Sequence, residues 1–100
     1  MGSNPTEATK TNNMKTFKDL EFKSHPIHDG IVARMFFENG YGVSVVRHAY
    51  SYGGDNGLFE LAVLDETGEL HYDNPVAGGD VVGYLRPEDI TDAMSLIQKF

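Results

Sequence analysis

The dipeptide Asn39-Gly40 constrains this chain more than any other feature, because it separates two runs in which apolar and polar residues alternate. Asn-Gly supplies the positive φ angles that a two-residue type I′ hairpin turn needs at both central positions. One strand is predicted before the turn, over residues 31–37, and another after it, over residues 41–49. The chain is therefore expected to be organised around an antiparallel β-meander.

The length of this turn decides which residues of the hairpin lie opposite one another. With residues 39 and 40 as the only turn residues, the predicted pairs include Phe36 with Val43, Ala33 with Val46 and Ile31 with His48. Opposed residues share a face of the sheet. The predicted covered face consists of Ile31, Ala33, Met35, Phe37 and Val46, with Ser44 and His48. Arg34 and Arg47 fall on the other face, which is expected to be less covered because guanidinium groups must stay solvated or paired.

Further segments also have strand patterns. Residues 17–25 alternate in polarity and carry lysines, which predicts an edge strand. Residues 58–65 are apolar on both faces, as expected of an interior strand. Residues 65–68, Asp-Glu-Thr-Gly, predict a three-residue hairpin loop with its glycine in the left-handed region, followed by a paired strand over residues 69–72. Residues 81–85 are short and apolar, and either join the sheet or lead into the next element.

The C-terminal segment has the pattern of an amphipathic helix. The helix is expected to open at Arg86-Pro87-Glu88-Asp89, where proline suits the first turn and the acids complement the helix dipole. Apolar residues then recur at helical spacing: Ile90, Ala93, Met94, Ile97 and Phe100, with Leu96 at the margin. The predicted fold class is α+β, an antiparallel β-meander of four to six strands with one C-terminal helix packed on one face.

Length and charge limit the classes of function open to the chain. One hundred residues suffice for one modest core, predicted as a single domain over residues 14–100, whereas the polar residues 1–13 are expected to be a disordered tail or a remnant of cloning. The formal net charge of −7 disfavours direct binding of nucleic acid or an anionic membrane, and would attract a partner with a basic surface. The sequence contains no cysteine, recognisable signal peptide or membrane-length apolar run, so a cytoplasmic location is expected.

Histidines are candidates for metal binding. His25 and His28 belong to one turn, and the predicted register brings His48 near them, so three imidazoles are expected to converge. Such a cluster would suit a small metal-binding protein or a metal-dependent enzyme. The spacing of the first two differs from that of a helical zinc-protease pair, and solvent-exposed turn histidines are the other interpretation.

No catalytic signature accompanies these histidines. The glycine-rich residues 53–57 lack the Lys-Ser/Thr of a phosphate-binding loop, and no serine occupies a nucleophile elbow. Glu60 lies mid-strand among apolar residues, and a cross-strand pair with Arg34 or Arg47 is expected rather than catalysis. We therefore predict no catalytic residues, no cofactor and no enzymatic activity.

The connection between the third and fourth strands has the composition of a recognition loop. Tyr50 and Tyr52 stand among small residues, followed by Asp55 and Asn56. The other interpretation is that these tyrosines cover the edge of a small core. The predicted contact surface joins this loop to three residues of the sheet: Arg34, Arg47 and Tyr41. Base stacking on RNA is disfavoured, because the basic residues that would neutralise phosphates are too few.

Residues 36–47, 58–63 and 82–85 resemble segments of small uncharacterised proteins of tailed bacteriophages and prophages. The resemblance spans residues 14–100 and includes no catalytic motif. It implies a small acidic accessory protein in the host cytoplasm that acts by contact with a host or phage protein. Two other hypotheses remain open: a metal site formed by His25, His28 and His48, and a structural subunit that self-associates through an exposed strand edge.

Overall fold

A computed structural model describes residues 14–72, 74–77 and 81–100. Its strands are β1 (Lys23–Ser24), β2 (Gly30–Phe36), β3 (Gly42–His48), β4 (Phe59–Leu64) and β5 (Val82–Leu85), and its helix is α1 (Pro87–Ile97). Each strand pairs antiparallel with the next, in the order β1-β2-β3-β4-β5. The predicted α+β class, with an antiparallel meander and one C-terminal helix, is confirmed. The tail predicted over residues 1–13 lies outside the described residues.

The turn between β2 and β3 has three residues, so the prediction of a two-residue turn is wrong. The amide of Phe37 donates to the carbonyl of Tyr41 (2.7 Å), and the amide of Gly40 donates to the carbonyl of Phe37 (3.0 Å). Residues 38–40 therefore form the turn. Gly40 has a φ of +95°, whereas Asn39 does not adopt the positive φ that a type I′ turn requires of it.

The side chain of Asn39 explains why the longer turn forms. Its Oδ1 accepts a hydrogen bond from the amide of Tyr41 (3.1 Å), and its Nδ2 donates to the carbonyl of Ile97 (2.9 Å) at the end of α1. The asparagine thus bridges its own turn and the terminus of the helix. A local turn preference is overridden here by a contact between residues far apart in the sequence.

The extra turn residue shifts the β2–β3 register by one position, which sends every β3 side chain to the opposite face. The observed pairs include Met35 with Val43, Ala33 with Val45 and Ile31 with Arg47. The predicted covered face is therefore right for β2 and wrong for β3. On the observed covered face, β3 contributes Val43, Val45 and Arg47. The prediction had placed Ser44, Val46 and His48 there.

The outer strands differ from the prediction in extent. Residues 17–25 form a 3₁₀ turn, Phe17–Asp19, and an edge strand of only two residues. Residues 69–72 pair with β4 only through a Leu64–Leu70 bridge and a hydrogen bond from the amide of His71 to the carbonyl of Val63 (2.8 Å). The rest of that edge of β4 pairs with β5, so residues 81–85 do join the sheet.

β4 is the interior strand that its sequence predicts. All of its residues except Glu60 are buried. The three-residue loop predicted after it is also confirmed: the amide of Asp65 donates to the carbonyl of Glu69 (2.8 Å), and Gly68 has a φ of +86°.

Helix α1 packs on one face of the sheet. Four of the five residues of the predicted stripe, Ile90, Ala93, Met94 and Ile97, are the buried side chains of the helix, whereas Phe100 lies beyond its end and is 40% exposed. The buried side chains of the sheet include Ala33, Val43, Val45, Leu61 and Val63. Burying each large apolar side chain contributes about 1.5–3 kcal/mol, so this layer is the main source of stability. Among the described residues, no helix has the length and apolar character needed to cross a membrane.

The segment before β1 lies along the helix. The side chain of Gln98 accepts from the amide of Lys15 and donates to its carbonyl, both at 2.8 Å. The amide of Phe17 donates to the hydroxyl of Thr91 (3.0 Å), and the Phe17 ring packs edge-on against Phe59 (5.2 Å). These contacts extend the core beyond the sheet and the helix.

Candidate functional site

Four large apolar side chains are exposed at one end of the sheet. Ile27 and Tyr50 are each 80% exposed, Tyr52 is 60% exposed and Tyr84 is 61% exposed. In an antiparallel sheet the start of β2, the end of β3 and the end of β5 lie at the same end, which brings these residues' segments together. We call the aromatic end the group formed by Ile27, Tyr50, Tyr52 and Tyr84 with His25, His28 and His48.

The loop after β3 is held in place by its own hydrogen bonds. Ser51 is buried, and its Oγ accepts from the amide of His48 and donates to the carbonyl of the same residue, both at 2.9 Å. Gly54 then begins a short 3₁₀ turn, with its amide donating to the Ser51 carbonyl (3.0 Å). Tyr50 and Tyr52 are therefore presented on a closed, hydrogen-bonded loop.

Tyr52 joins this loop to the sheet. Its amide donates to Oε1 of Glu60 (2.9 Å), and its carbonyl accepts from the amide of Tyr84 (3.1 Å). At Gly83 a side chain would overlap Cβ of Tyr52, so the loop lies directly against β5. The expected pairing of Glu60 with an arginine is thus wrong, because the carboxylate orders the loop instead.

Tyr84 has a strained backbone. Its φ is +58°, the one positive φ at a non-glycine residue among the described residues. It lies where β5 shifts register against β4, between the positions of Phe59 and Leu61. Such a conformation costs on the order of 1 kcal/mol, and strain of this kind is concentrated at functional sites.

Three imidazole rings converge beside Tyr50, as the sequence predicts. The ring centroids of His28 and His48 are 4.6 Å apart, those of His25 and His48 are 4.9 Å apart, and those of His25 and His28 are 5.3 Å apart. The ring of Tyr50 lies 5.2 Å from that of His28. We call His25, His28 and His48 the histidine cluster.

The backbone occupies ring nitrogens of the histidine cluster. Nδ1 of His25 accepts from the amides of Ile27 and His28, both at 3.1 Å, and Nδ1 of His48 accepts from the amide of Tyr50 at 3.1 Å. A neutral ring that accepts at Nδ1 carries its proton on Nε2, so neither nitrogen of these two rings offers a free lone pair to a metal. Within residues 14–72, 74–77 and 81–100, no group of three or more His, Cys, Asp or Glu residues has a metal-binding arrangement.

The electrostatics of the aromatic end are acidic at neutral pH. The turn over residues 25–30 and the loop over residues 49–58 contain Asp29 and Asp55 and no lysine or arginine. Partial burial lowers the pKa of His48, and the nearby His28 and His25 lower it further, whereas Glu60 raises it. Burial and the two other histidines therefore favour the neutral form of His48, against the opposing effect of the Glu60 carboxylate.

The predicted contact surface is only partly assembled. Tyr50, Tyr52, Asp55 and Asn56 do share one loop, and Arg34 lies on the face of the sheet opposite α1, where it donates to the carbonyl of Gly68 (3.2 Å). Arg47 and Tyr41 lie on the helix side because of the register shift. The Arg47 guanidinium is 5.1 Å from the centre of the Phe59 ring, and the Tyr41 ring packs against Phe100 and His71 at 5.2 Å. These seven residues do not form a single surface.

Sequence reasoning missed Ile27, and it treated Tyr84, like Tyr72, only as a possible addition to the recognition surface and not as one of its predicted residues. Ile27 is a single aliphatic residue between Pro26 and His28, where no periodicity marks it as exposed. Tyr84 lies in an apolar run that is typical of a strand, and only its backbone conformation turns it outward. The exposure of Ile27 depends on the conformation of the turn before β2 and that of Tyr84 on the pairing between β4 and β5, and local sequence patterns indicate neither.

The chain matches no protein-family model, no curated protein and no solved structure. The fold and the site define it as a small α+β domain, a single antiparallel sheet covered by one helix, with exposed aromatic residues at one end of the sheet.

Proposed function

We propose that this chain is a small, non-enzymatic, phage-type accessory protein that binds a host or phage protein through its aromatic end. The observation that carries the proposal is the exposure of Ile27, Tyr50, Tyr52 and Tyr84 on a hydrogen-bonded end of the sheet. Contiguous exposed apolar side chains mark interaction sites, and tyrosines on ordered loops are frequent anchors of protein interfaces.

The charge of the chain supports a partner with a basic surface. Glu60 binds the amide of Tyr52, Asp55 belongs to the same loop and Asp29 to the turn before β2, and the whole chain has a formal net charge of −7. An apolar pocket bordered by lysine or arginine side chains would complement this surface. Binding is then expected to weaken as salt screens the attraction, mainly through a lower association rate.

A metal-dependent role for the histidine cluster has less support. Its rings converge as that hypothesis requires, but the bonds to Nδ1 of His25 and His48 leave those rings without a free lone pair. Metal binding would have to break three backbone hydrogen bonds first, at a net cost of about 0.5–1.5 kcal/mol each.

Self-association through a strand edge also has less support. β1 has two residues, which is too short to template another strand. At the other edge, the amide of Tyr84 is already bonded to the Tyr52 carbonyl and β5 shifts register. The shortness of β1 and the irregularity of β5 both disfavour pairing with a strand edge of another molecule.

A pull-down from bacterial lysate tests the proposal with a matched control. The bait variants are the wild type, the double variant Tyr50→Ala plus Tyr52→Ala, and Tyr72→Ala. Tyr72 is 59% exposed, almost the same as Tyr52, and it lies outside the aromatic end. Circular dichroism first verifies that all three proteins are folded.

The expected result is a protein recovered by the wild type and by Tyr72→Ala but lost with the double variant. That protein must then bind directly when both components are purified, and its affinity must fall between 50 mM and 500 mM salt. Recovery of the same proteins by all three baits would remove the aromatic end as the binding surface.

A further inference from the structure

We propose that the histidine cluster is a pH-sensitive element that holds the aromatic end in its binding form while the rings are neutral and releases Ile27 and Tyr50 when the rings gain protons. This inference rests on the proposed function, because it concerns regulation of the same surface. It assigns to His25, His28 and His48 a role other than metal binding.

The first support is the connection that the rings make between separate segments. His25 and His28 belong to the turn before β2, and His48 ends β3. Neutral rings at 4.6 to 5.3 Å are within the range of favourable aromatic contacts. Two imidazolium ions at the same distance repel each other, so each proton taken up disfavours the packed arrangement.

The second support is the role of Nδ1 as an acceptor. Nδ1 of His25 receives the amides of Ile27 and His28, and Nδ1 of His48 receives the amide of Tyr50. A protonated Nδ1 has no lone pair and turns from acceptor to donor. Protonation therefore breaks the bonds that position the two most exposed side chains of the aromatic end.

The third support is the change in surface charge. The carboxylate that acts on His48 is Glu60 from β4, and the ring of Tyr50 from the following loop lies 5.2 Å from that of His28. Asp29 belongs to the turn before β2 and Asp55 to the loop after β3, so imidazolium groups in the cluster would offset the negative charge of these two carboxylates and of Glu60. Attraction for a basic partner would then be lost together with the loop conformation.

The expected pH range follows from His48. Burial, His28 and His25 hold its pKa below the ordinary value of 6.5, so the folded state binds fewer protons than the unfolded state between those two values. The stabilisation by neutral His48 is complete above pH 6.5 and is lost as the pH falls toward the lower folded pKa. The release is thus expected below pH 6.5.

Nuclear magnetic resonance of the free protein tests the inference without any partner. The imidazole signals and the amides of Ile27, His28 and Tyr50 are followed from pH 8 to pH 4.5 in the wild type, in His28→Gln and in His71→Gln. His71 packs against Tyr41 outside the cluster and serves as the matched control.

In the wild type and in His71→Gln, the Tyr50 amide is expected to shift and to lose hydrogen-exchange protection with the midpoint of His48, below 6.5. The amides of Ile27 and His28, which donate to Nδ1 of His25, are expected to lose their protection within the same pH series. In His28→Gln that midpoint should rise, because one repelling charge is gone. If the three amides do not respond to histidine titration, or if His28→Gln and His71→Gln leave the His48 midpoint equally unchanged, the inference is overturned.

The outcome is separable from that of the proposed function. Partner binding at pH 7.5, above the midpoint of His48, depends only on the exposed side chains of the aromatic end. A failed titration with intact binding at pH 7.5 removes the pH-sensitive element alone. A normal titration with no binding at pH 7.5 removes the partner proposal and leaves only the conformational change.

Discussion

Nδ2 of Asn39, in the turn between β2 and β3, donates a 2.9 Å hydrogen bond to the carbonyl of Ile97, the last residue of α1. The bond joins the central hairpin to the C-terminal helix across 58 positions of sequence. It satisfies one of the carbonyls that the end of a helix leaves without an intrahelical partner. The turn length, the strand register and the position of the helix are therefore linked through this one side chain.

Replacing Asn39 by alanine should lower the free energy of unfolding by about 1–2 kcal/mol, because both the bond to Ile97 and the bond to the Tyr41 amide are lost. Urea denaturation measures the change. Asn56→Ala, in the exposed loop after β3, is the control and should alter stability by less than about 0.5 kcal/mol. Equal effects of the two substitutions would mean that Asn39 does not connect the hairpin to the helix.

The register error in the sequence prediction has the same origin. Asn39-Gly40 and Thr67-Gly68 occupy equivalent three-residue turns, each with glycine at a positive φ. The three-residue turn at Thr67-Gly68 is predicted correctly because Thr-Gly is not typical of a two-residue turn. Asn-Gly is typical of one, so the turn at Asn39-Gly40 is predicted with the wrong length. The face of β2, the interior character of β4 and the helix stripe were all predictable from local periodicity. The face of β3 was not, because it depends on a bond to a residue far away in the chain.

The covering of the sheet by α1 can be tested with two residues of the same helix. Met94 is fully buried against the sheet, whereas Leu96 is 54% exposed. Met94→Ala should cost about 2–5 kcal/mol, since it removes buried methylene groups and leaves a cavity. Leu96→Ala should cost less than about 1 kcal/mol, as measured by urea denaturation. Similar losses from both substitutions would contradict the packing described for the helix.

The contact between the loop after β3 and β5 can be tested with two glycines. Gly83→Ala would force a methyl group into Cβ of Tyr52, and overpacking of this kind costs about 1–3 kcal/mol. Gly57 has a φ of +75° and open space around it, so Gly57→Ala adds only backbone strain of about 1 kcal/mol.

The distinguishing measurement is the amide spectrum. Gly83→Ala should shift the Tyr52 and Tyr84 signals strongly, because their shared hydrogen bond is displaced, while Gly57→Ala should leave those two signals near their wild-type positions. The reverse pattern would place the loop away from β5.

Asp65 should make the second hairpin sensitive to strong acid. The hydroxyl of Thr67 lowers the pKa of this carboxyl, and the amides of Glu69 and Thr67 lower it further. Because the folded pKa is depressed, the stabilisation is present above the ordinary value of 3.8 and is lost as the pH falls through the folded pKa. The Thr67 and Glu69 amide signals should therefore titrate together below pH 3.8. Asp65→Asn should abolish that titration and Glu66→Gln should preserve it.

The candidate site was partly readable from the sequence. Tyr50 and Tyr52 were recognised by composition, and the convergence of three histidines followed from the meander even though its register was one residue off. The sequence did not predict that Nδ1 of His25 and Nδ1 of His48 accept hydrogen bonds, because this depends on which backbone amides point at these nitrogens. The placement of Arg34 and Arg47 on opposite faces of the sheet could not be predicted either, because a register shift of one residue moves every β3 side chain to the other face.

The most direct test of the recognition surface is the affinity of the purified partner, measured by isothermal titration calorimetry at pH 7.5 and low salt. Loss of both exposed rings in Tyr50→Ala plus Tyr52→Ala should weaken binding at least about tenfold, equivalent to about 1.4 kcal/mol. Tyr72→Ala should bind like the wild type. Dissociation constants that agree within about twofold for all three proteins would contradict the central claim that the aromatic end makes the contact.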